Sequence, residues 1–443
     1  MLTPKEAKQL TEFPEVISVQ PSKMHRATTT RSWDFLGLNY QMPGSGSGLL
    51  NRSNSGEDVI IGVVDSGVLA AIDDAIHDGV DVLSLSLGIL DENSFGALHA
   101  VQKGITVVYA GGNDRPRPQT VGNTSPWVIT VAASKIDRSF PTVITLGNKQ
   151  QIVGIACILV DIDTGKKIRN YILDASSPMA KIEPAHTVIG KDMLAPKVAS
   201  FSSRARHSCT WSEHIGSCER FIRNLLWDVN NHPHVAGIVA LLKAMHPDWS
   251  PAAIKSAIIT SAHITDERGM PILAEGLTRK IADPFDYGGG NINPHGAADP
   301  GLVYDIHPRD YSKFFGCTII RRMNVTCNAT ALPAYHLNLP SIAVPELRHS
   351  VTVSRTVTNV GKVNSVYRVV VQSPASVRME VEPPVLVFDV ANKVQTFKVK
   401  LSPKWKLQGD YMFGSITWRS DRKAVRIPVA ARITVQDFYA DVA

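Results

Sequence analysis

Two hydrophobic periods divide the chain. Between residues 59 and 147, near-continuous apolar runs alternate with stretches of helical character, and from about residue 337 apolar positions recur at every second residue. The first pattern predicts strands at 59–65, 82–87, 105–109 and 128–132, with helices at 69–78 and 94–103 that stop at Gly79 and Gly104. Strands apolar on both faces and alternating with helices indicate a parallel sheet with helices on both faces. In such a sheet functional residues collect at the carboxyl ends of strands. Asp65, Gly88 and Asn113 fall there. Residues 233–245 are apolar nearly all round, which predicts a helix buried at the centre of a domain. The next helix has Ser250 as N-cap and Pro251 in its first position. The second pattern predicts strands at 351–357, 366–371, 377–381, 396–401, 413–418 and 425–429. Short strands broken by Gly, Pro, Asn and Asp argue a β-sandwich. Residues 150–200 are mixed and predict no element with a clear role.

Composition narrows this only a little. A chain of 443 residues, 44% hydrophobic, suits two or three domains, each able to bury a core. No apolar run is long enough for a membrane span. A net charge of +6 spread over this length, with no Lys/Arg block, gives no support for nucleic-acid binding. The first residues, Met1-Leu2-Thr3-Pro4-Lys5-Glu6, lack the charged head and apolar stretch of an export signal. They read as a helix start, with Thr3 as N-cap, Pro4 at the first position and Glu6 closing a capping box. A strand over 14–19 follows, and Gly44 to Gly48 read as loop. Five cysteines do not make a disulfide scaffold, although Cys317 and Cys327 could close a short loop. Asn123, Asn324 and Asn328 head glycosylation sequons, which matter only in a secreted chain. His207, Cys209, His214, Cys218, His232 and His234 crowd together, but their spacings do not fit zinc patterns, so no metal site is expected. His77 and His99 lie on predicted helices and read as surface or core residues.

Several segments, in order, resemble the plant subtilisin-like serine proteases. Residues 2–21 resemble the second half of an inhibitory propeptide. Thr29 to Leu38 resembles the start of a mature enzyme, which implies a cut near Thr28. Asp65-Ser66-Gly67 is similar to the motif of the charge-relay aspartate. Ser86-Leu87-Gly88 resembles the strand that pairs with substrate backbone. Ala110-Gly111-Gly112-Asn113 is similar to the motif whose asparagine lines the oxyanion hole. Asn293-Pro294 through Asp305 resembles a signature that closes the catalytic domain, and the remainder resembles a fibronectin-III-like domain. The resemblance implies an incomplete subtilisin-like α/β domain over 29–320, with 150–196 the remnant of a protease-associated insert, and a β-sandwich over 335–437. It also implies Ser-His-Asp peptide-bond hydrolysis without a cofactor, a peptide or protein substrate, the propeptide as a further partner, and an extracellular site in the cell wall or apoplast.

The departures bear directly on function. The family's His-Gly-Thr-His segment is absent, and the only His-Gly pair, His295-Gly296, lies in the closing signature. Counting back from Pro233-His234, the nucleophile's position holds Val229. The match stops after Phe201-Ser202-Ser203-Arg204 and resumes abruptly at Pro233, a pattern that a mis-joined exon or a disturbed reading frame produces. A serine needs an imidazole to activate it, and the aspartate serves only to hold that imidazole. The chain as written is therefore expected to be inactive. The alternative is a non-catalytic peptide-binding or regulatory protein. The missing segment would otherwise flank the strand at 59–65, so this strand is expected to be a bare apolar edge.

Overall fold

The computed structural model describes residues 31–38, 48–64, 68–87, 95–114, 116–155, 162–184, 186–190, 193–205, 225–227, 232–276, 279–311, 333–405 and 408–435. The expected helix and strand before residue 20 lie outside the described residues.

A six-stranded, wholly parallel sheet organises the first unit. Its strands are β1 (Ile61–Val64), β2 (Val82–Leu85), β3 (Thr106–Ala110), β4 (Ile129–Ala132), β5 (Leu225–Trp227) and β6 (Gly290–Asn291), side by side in chain order. The helices are α1 (Val68–His77), α2 (Phe95–Gln102), α3 (His232–Met245) and α4 (Pro251–Ser261). Side chains alternate across a strand, and this sorts two cores. Leu83, Leu85, Val107 and Tyr109 meet Ile72 and Ala75 of α1 and Leu98 and Val101 of α2. Val82, Val108, Ile129 and Val131 meet Val235, Ile238 and Leu242 of α3, and α4 lies in the same core. The all-round apolar α3 is buried as its sequence requires. Ser250 caps α4 by accepting from the Ala253 amide at 3.0 Å.

Among the described residues β1 is an edge strand, as expected, although it is shorter than the apolar run that announced it. The stretch up to residue 147 does not all join the parallel sheet. Pro141–Leu146 pairs antiparallel with Gln151–Ile155 and with Ala180–Ile182. The helix Ile162–Asp174 covers this small sheet through Ile168 and Tyr171.

The second unit is a sandwich built from β7 (Leu302–Val303), β8 (Ile342–Leu347), β9 (Val351–Asn359), β10 (Ser365–Gln372), β11 (Val377–Glu382), β12 (Val385–Phe388), β13 (Val394–Pro403), β14 (Met412–Arg419) and β15 (Ala424–Ile433). One sheet runs β7-β9-β13-β11 and the other β8-β15-β14-β10-β12. Trp418 and Phe397 meet edge to face between them at 4.9 Å. Phe285 of the first unit packs edge to face on Tyr411 and Phe413, both at 4.9 Å, and joins the two units.

Arg355 fixes the entry into the sandwich. Only 1% exposed, its guanidinium donates to the carbonyls of Tyr335, Leu339, Ser341 and Ser354 at 2.8–3.0 Å. Burial pushes its pKa down to about 10, which leaves it charged at neutral pH. A lysine keeps the charge but cannot reach four carbonyls with one planar fork. Arg355→Lys is expected to cost about 2 kcal/mol of stability in a denaturant titration.

Candidate functional site

The carboxyl ends of β2, β3 and β4 and the start of α3 enclose a cleft of about 340 Å³. Ser86, Gly111, Gly112, Asn113, Phe201, His232 and Pro233 are among its lining residues. Two of the residues expected at a site, Ser86 and Asn113, are thus brought together. Leu87 follows Ser86 in the chain but is not among the lining residues. Asp65 and Gly88 lie outside the described residues, as does Val229.

Asn113 is held from behind. Gly111 follows β3 and donates to Val131 O at 2.7 Å. Gly112 adopts φ +102°, a conformation that favours glycine, and a Cβ there would lie 2.8 Å from Ser203 Oγ. Ser203 N donates to Gly112 O at 3.0 Å, and Ser203 Oγ accepts from Asp114 N at 3.2 Å. The loop is therefore clamped on both sides of Asn113, whose side chain is exposed towards the cleft. Gly112→Ala combines left-handed strain with this clash. It should destabilise the first unit by about 1–3 kcal/mol, measured by chemical denaturation.

The clamp is itself anchored. Ser202 Oγ accepts from Ala133 N at 3.0 Å. Arg204, 4% exposed, donates to Ala199 O at 3.0 Å and Glu275 O at 2.9 Å and pairs with Asp286 at 3.3 Å. Lys280 reaches the other Asp286 oxygen at 2.8 Å. Burial pushes Arg204 down and Asp286 up, each towards its neutral form, and Asp283 pushes Asp286 further up.

Two residues at the cleft were not singled out for it by the sequence. His232 is the first residue of α3 and is buried at the cleft wall. The crowded histidines and cysteines drew attention to it only as a metal candidate. Among the described residues no group of three or more His, Cys, Asp or Glu side chains could hold a metal. His207, Cys209, His214 and Cys218 lie outside them. Asn123 read as a sequon, but its side-chain nitrogen donates to Leu87 O at 2.6 Å and Ala110 O at 2.9 Å. It ties the ends of β2 and β3 together, and a glycan on that nitrogen would replace one of the two hydrogens that make these bonds. Asn324 and Asn328 lie outside the described residues.

A parallel sheet with a small polar cleft at its strand ends, opposite the start of a buried central helix, defines an α/β enzyme scaffold. Comparison with known proteins gives the class its family. Residues 62–215 match the profile described as the subtilase family, and 336–431 match a fibronectin type-III domain. The chain is 31% identical over 678 residues to subtilisin-like protease SBT3.9 of Arabidopsis thaliana, covering 99% of this chain and 89% of that protein. It is 37% identical over 502 residues to SBT3.5 of the same plant, covering 85% of this chain and 65% of the relative. A solved structure titled S41 Psychrophilic Protease is 18% identical, with a TM-score of 0.29 over 56% of this chain and 65% of its own. The chain belongs to the subtilase family of serine peptidases. The match to SBT3.9 extends over 678 positions against the 443 residues present, so at least the difference, 235 positions, has no counterpart here.

Proposed function

We propose that this chain is a catalytically silent subtilase that holds a peptide in its cleft without cleaving it. The observation that carries the reading is the pairing of a side-chain amide donor in the cleft with a lost nucleophile. Asn113 stands exposed in the cleft, while the position of the attacking serine holds Val229. An amide so placed can donate to a peptide carbonyl. In a working site such a donor is worth roughly 3–4 kcal/mol to the transition state. The N-terminal end of α3, which carries partial positive charge, faces the same cleft through His232 and Pro233. Ser86, Leu87 and Gly88 are the segment proposed to pair with peptide backbone, and Asp65 is the relic of the charge relay.

In this reading residues 1–28 are what remains of the inhibitory propeptide, which is a candidate occupant of the cleft. Residues 29–320 form the incomplete catalytic domain, and 335–437 the fibronectin-III-like domain. The intact relatives' extracellular setting is the proposed location.

A fluorescent peptide library tests the proposal directly. Anisotropy should rise on adding the protein, peptide masses should stay unchanged, and Asn113→Ala should weaken binding about tenfold. New peptide fragments, or no rise in anisotropy, would contradict it. A second reading is favoured by the abrupt break between Arg204 and Pro233: a longer transcript encodes the missing histidine and serine segments and an active endopeptidase. Full-length transcript sequencing decides between them, because an uninterrupted frame through residues 205–232 removes the second.

A further inference from the structure

Among the described residues, two surfaces at opposite ends of the chain are left uncovered, and they are complementary. The first is the open edge of β1. The amides of Val82 and Ser86 donate to the carbonyls of Ile60 and Val64, so alternation leaves the backbone groups of Ile61 and Val63 facing away from the sheet. Val63 is 71% exposed and Ile60 53%. From Glu57 to Asp81 the sequence holds seven acidic residues and no lysine or arginine. Glu57 and Asp58 lie just before Val59 and Ile60, which lead into β1, and both are exposed. The edge thus joins apolar side chains to two carboxylates at its start, in a stretch without basic residues.

The second surface is the outer face of the sandwich at β10, β12 and β14. Val366 lies opposite Val387 in the register, and they are 45% and 55% exposed. Arg368 lies directly opposite Arg419, and both are exposed. Like charges in that position destabilise a sheet. Neither guanidinium has a carboxylate partner among the described residues, and Arg422 adds a third positive charge at the adjoining turn. The same sheet face, continued onto β15, already makes a contact. Thr417 lies between Val370 and Arg426 in register, and Arg426 donates to Gly289 O of the first unit at 3.5 Å. The free part of the face is thus continuous with an established interface, and it is apolar and basic.

We propose that copies of this chain associate head to tail, the acidic edge of β1 in one copy docking on the basic valine face of β10, β12 and β14 in the next. The occupant fits by charge as well as by apolar surface, and among the described residues neither surface is covered by another element. The contact joins two different patches, so it is heterologous, and unless the rotation closes a ring it propagates.

Sedimentation velocity of the full chain tests this, because a one-way contact has a distinctive mixing behaviour. The wild-type chain should form species larger than a dimer as concentration rises, and added salt should reverse this. Val63→Lys should remove the edge, and the double substitution Arg368→Glu, Arg419→Glu should remove the face, leaving each variant monomeric alone. Mixed in equal amounts, the two should form a discrete dimer and nothing larger, since one retains the face and the other the edge. A wild-type chain that stays monomeric overturns the proposal. So does association that survives either substitution, or a mixture that gives no dimer.

Discussion

Val229→Ser should restore no measurable peptide hydrolysis. In subtilisin, losing the nucleophile or the histidine alone costs about 10⁶ in kcat, nearly as much as losing the whole triad. A serine at 229 would still need an imidazole held in the correct tautomer. On the proposed function, Asp65 is a relic of the charge relay and the segment that carries that histidine in the family has no counterpart here, so no imidazole is expected for it to hold. His232 is the imidazole that lines the cleft among the described residues, but it sits at the start of α3, three residues along from Val229. Hydrolysis of a chromogenic peptide by the Val229→Ser variant, measured beside Val229→Ser with His232→Gln, checks this. Activity in the first that vanishes in the second would mean that His232 had taken the place of the missing base.

Asp286→Ala should destabilise the first unit by about 3–5 kcal/mol. The carboxylate is 1% exposed and lies between Arg204 and Lys280, with the Asp283 amide donating to it at 3.0 Å. Removing it leaves Arg204 buried with a charge and no counter-charge at its Nε. The loss should spread, because Arg204 anchors the segment whose Ser203 clamps Gly112 and so positions Asn113. Denaturant titration of the variant reads the stability. Peptide anisotropy at low denaturant reads whether the cleft loosens before the unit unfolds. A change below about 1 kcal/mol would show that the network carries little of the fold.

Much of this architecture is legible in the sequence wherever one physical signal dominates. The apolar runs at β1 to β4 have no competing period, and α3 is apolar on every side, so both announce buried elements. The alternation of β9 and β13 shows plainly because one face of each meets the sandwich core. Legibility fails where an element depends on a partner that the local pattern does not reveal. Pro141–Leu146 reads as the tail of the parallel unit, yet it turns into a small antiparallel sheet because Gln151–Ile155 folds back on it. Val385–Phe388 is four residues long and follows two prolines, which hides an edge strand inside an apparent turn.

The candidate site divides along the same line. Asn113 is found from its motif because Gly111 and Gly112 impose the loop that presents it. The sequence shows Asn123 only as the head of a sequon, and its structural bonds to the carbonyls of Leu87 and Ala110 are hidden because only the sheet brings them within reach. His232 escapes notice because its neighbours suggest a metal cluster, while its place in the cleft is decided by where α3 begins.

On the proposed function, a subtilase scaffold persists here without a working nucleophile. Intact-mass analysis after treatment with a fluorophosphonate, which traps an activated serine covalently, tests it most directly. The mass should be unchanged after prolonged exposure. A stoichiometric adduct that disappears on Asp65→Ala would contradict the claim, since it would require both an activated serine and a functioning charge relay.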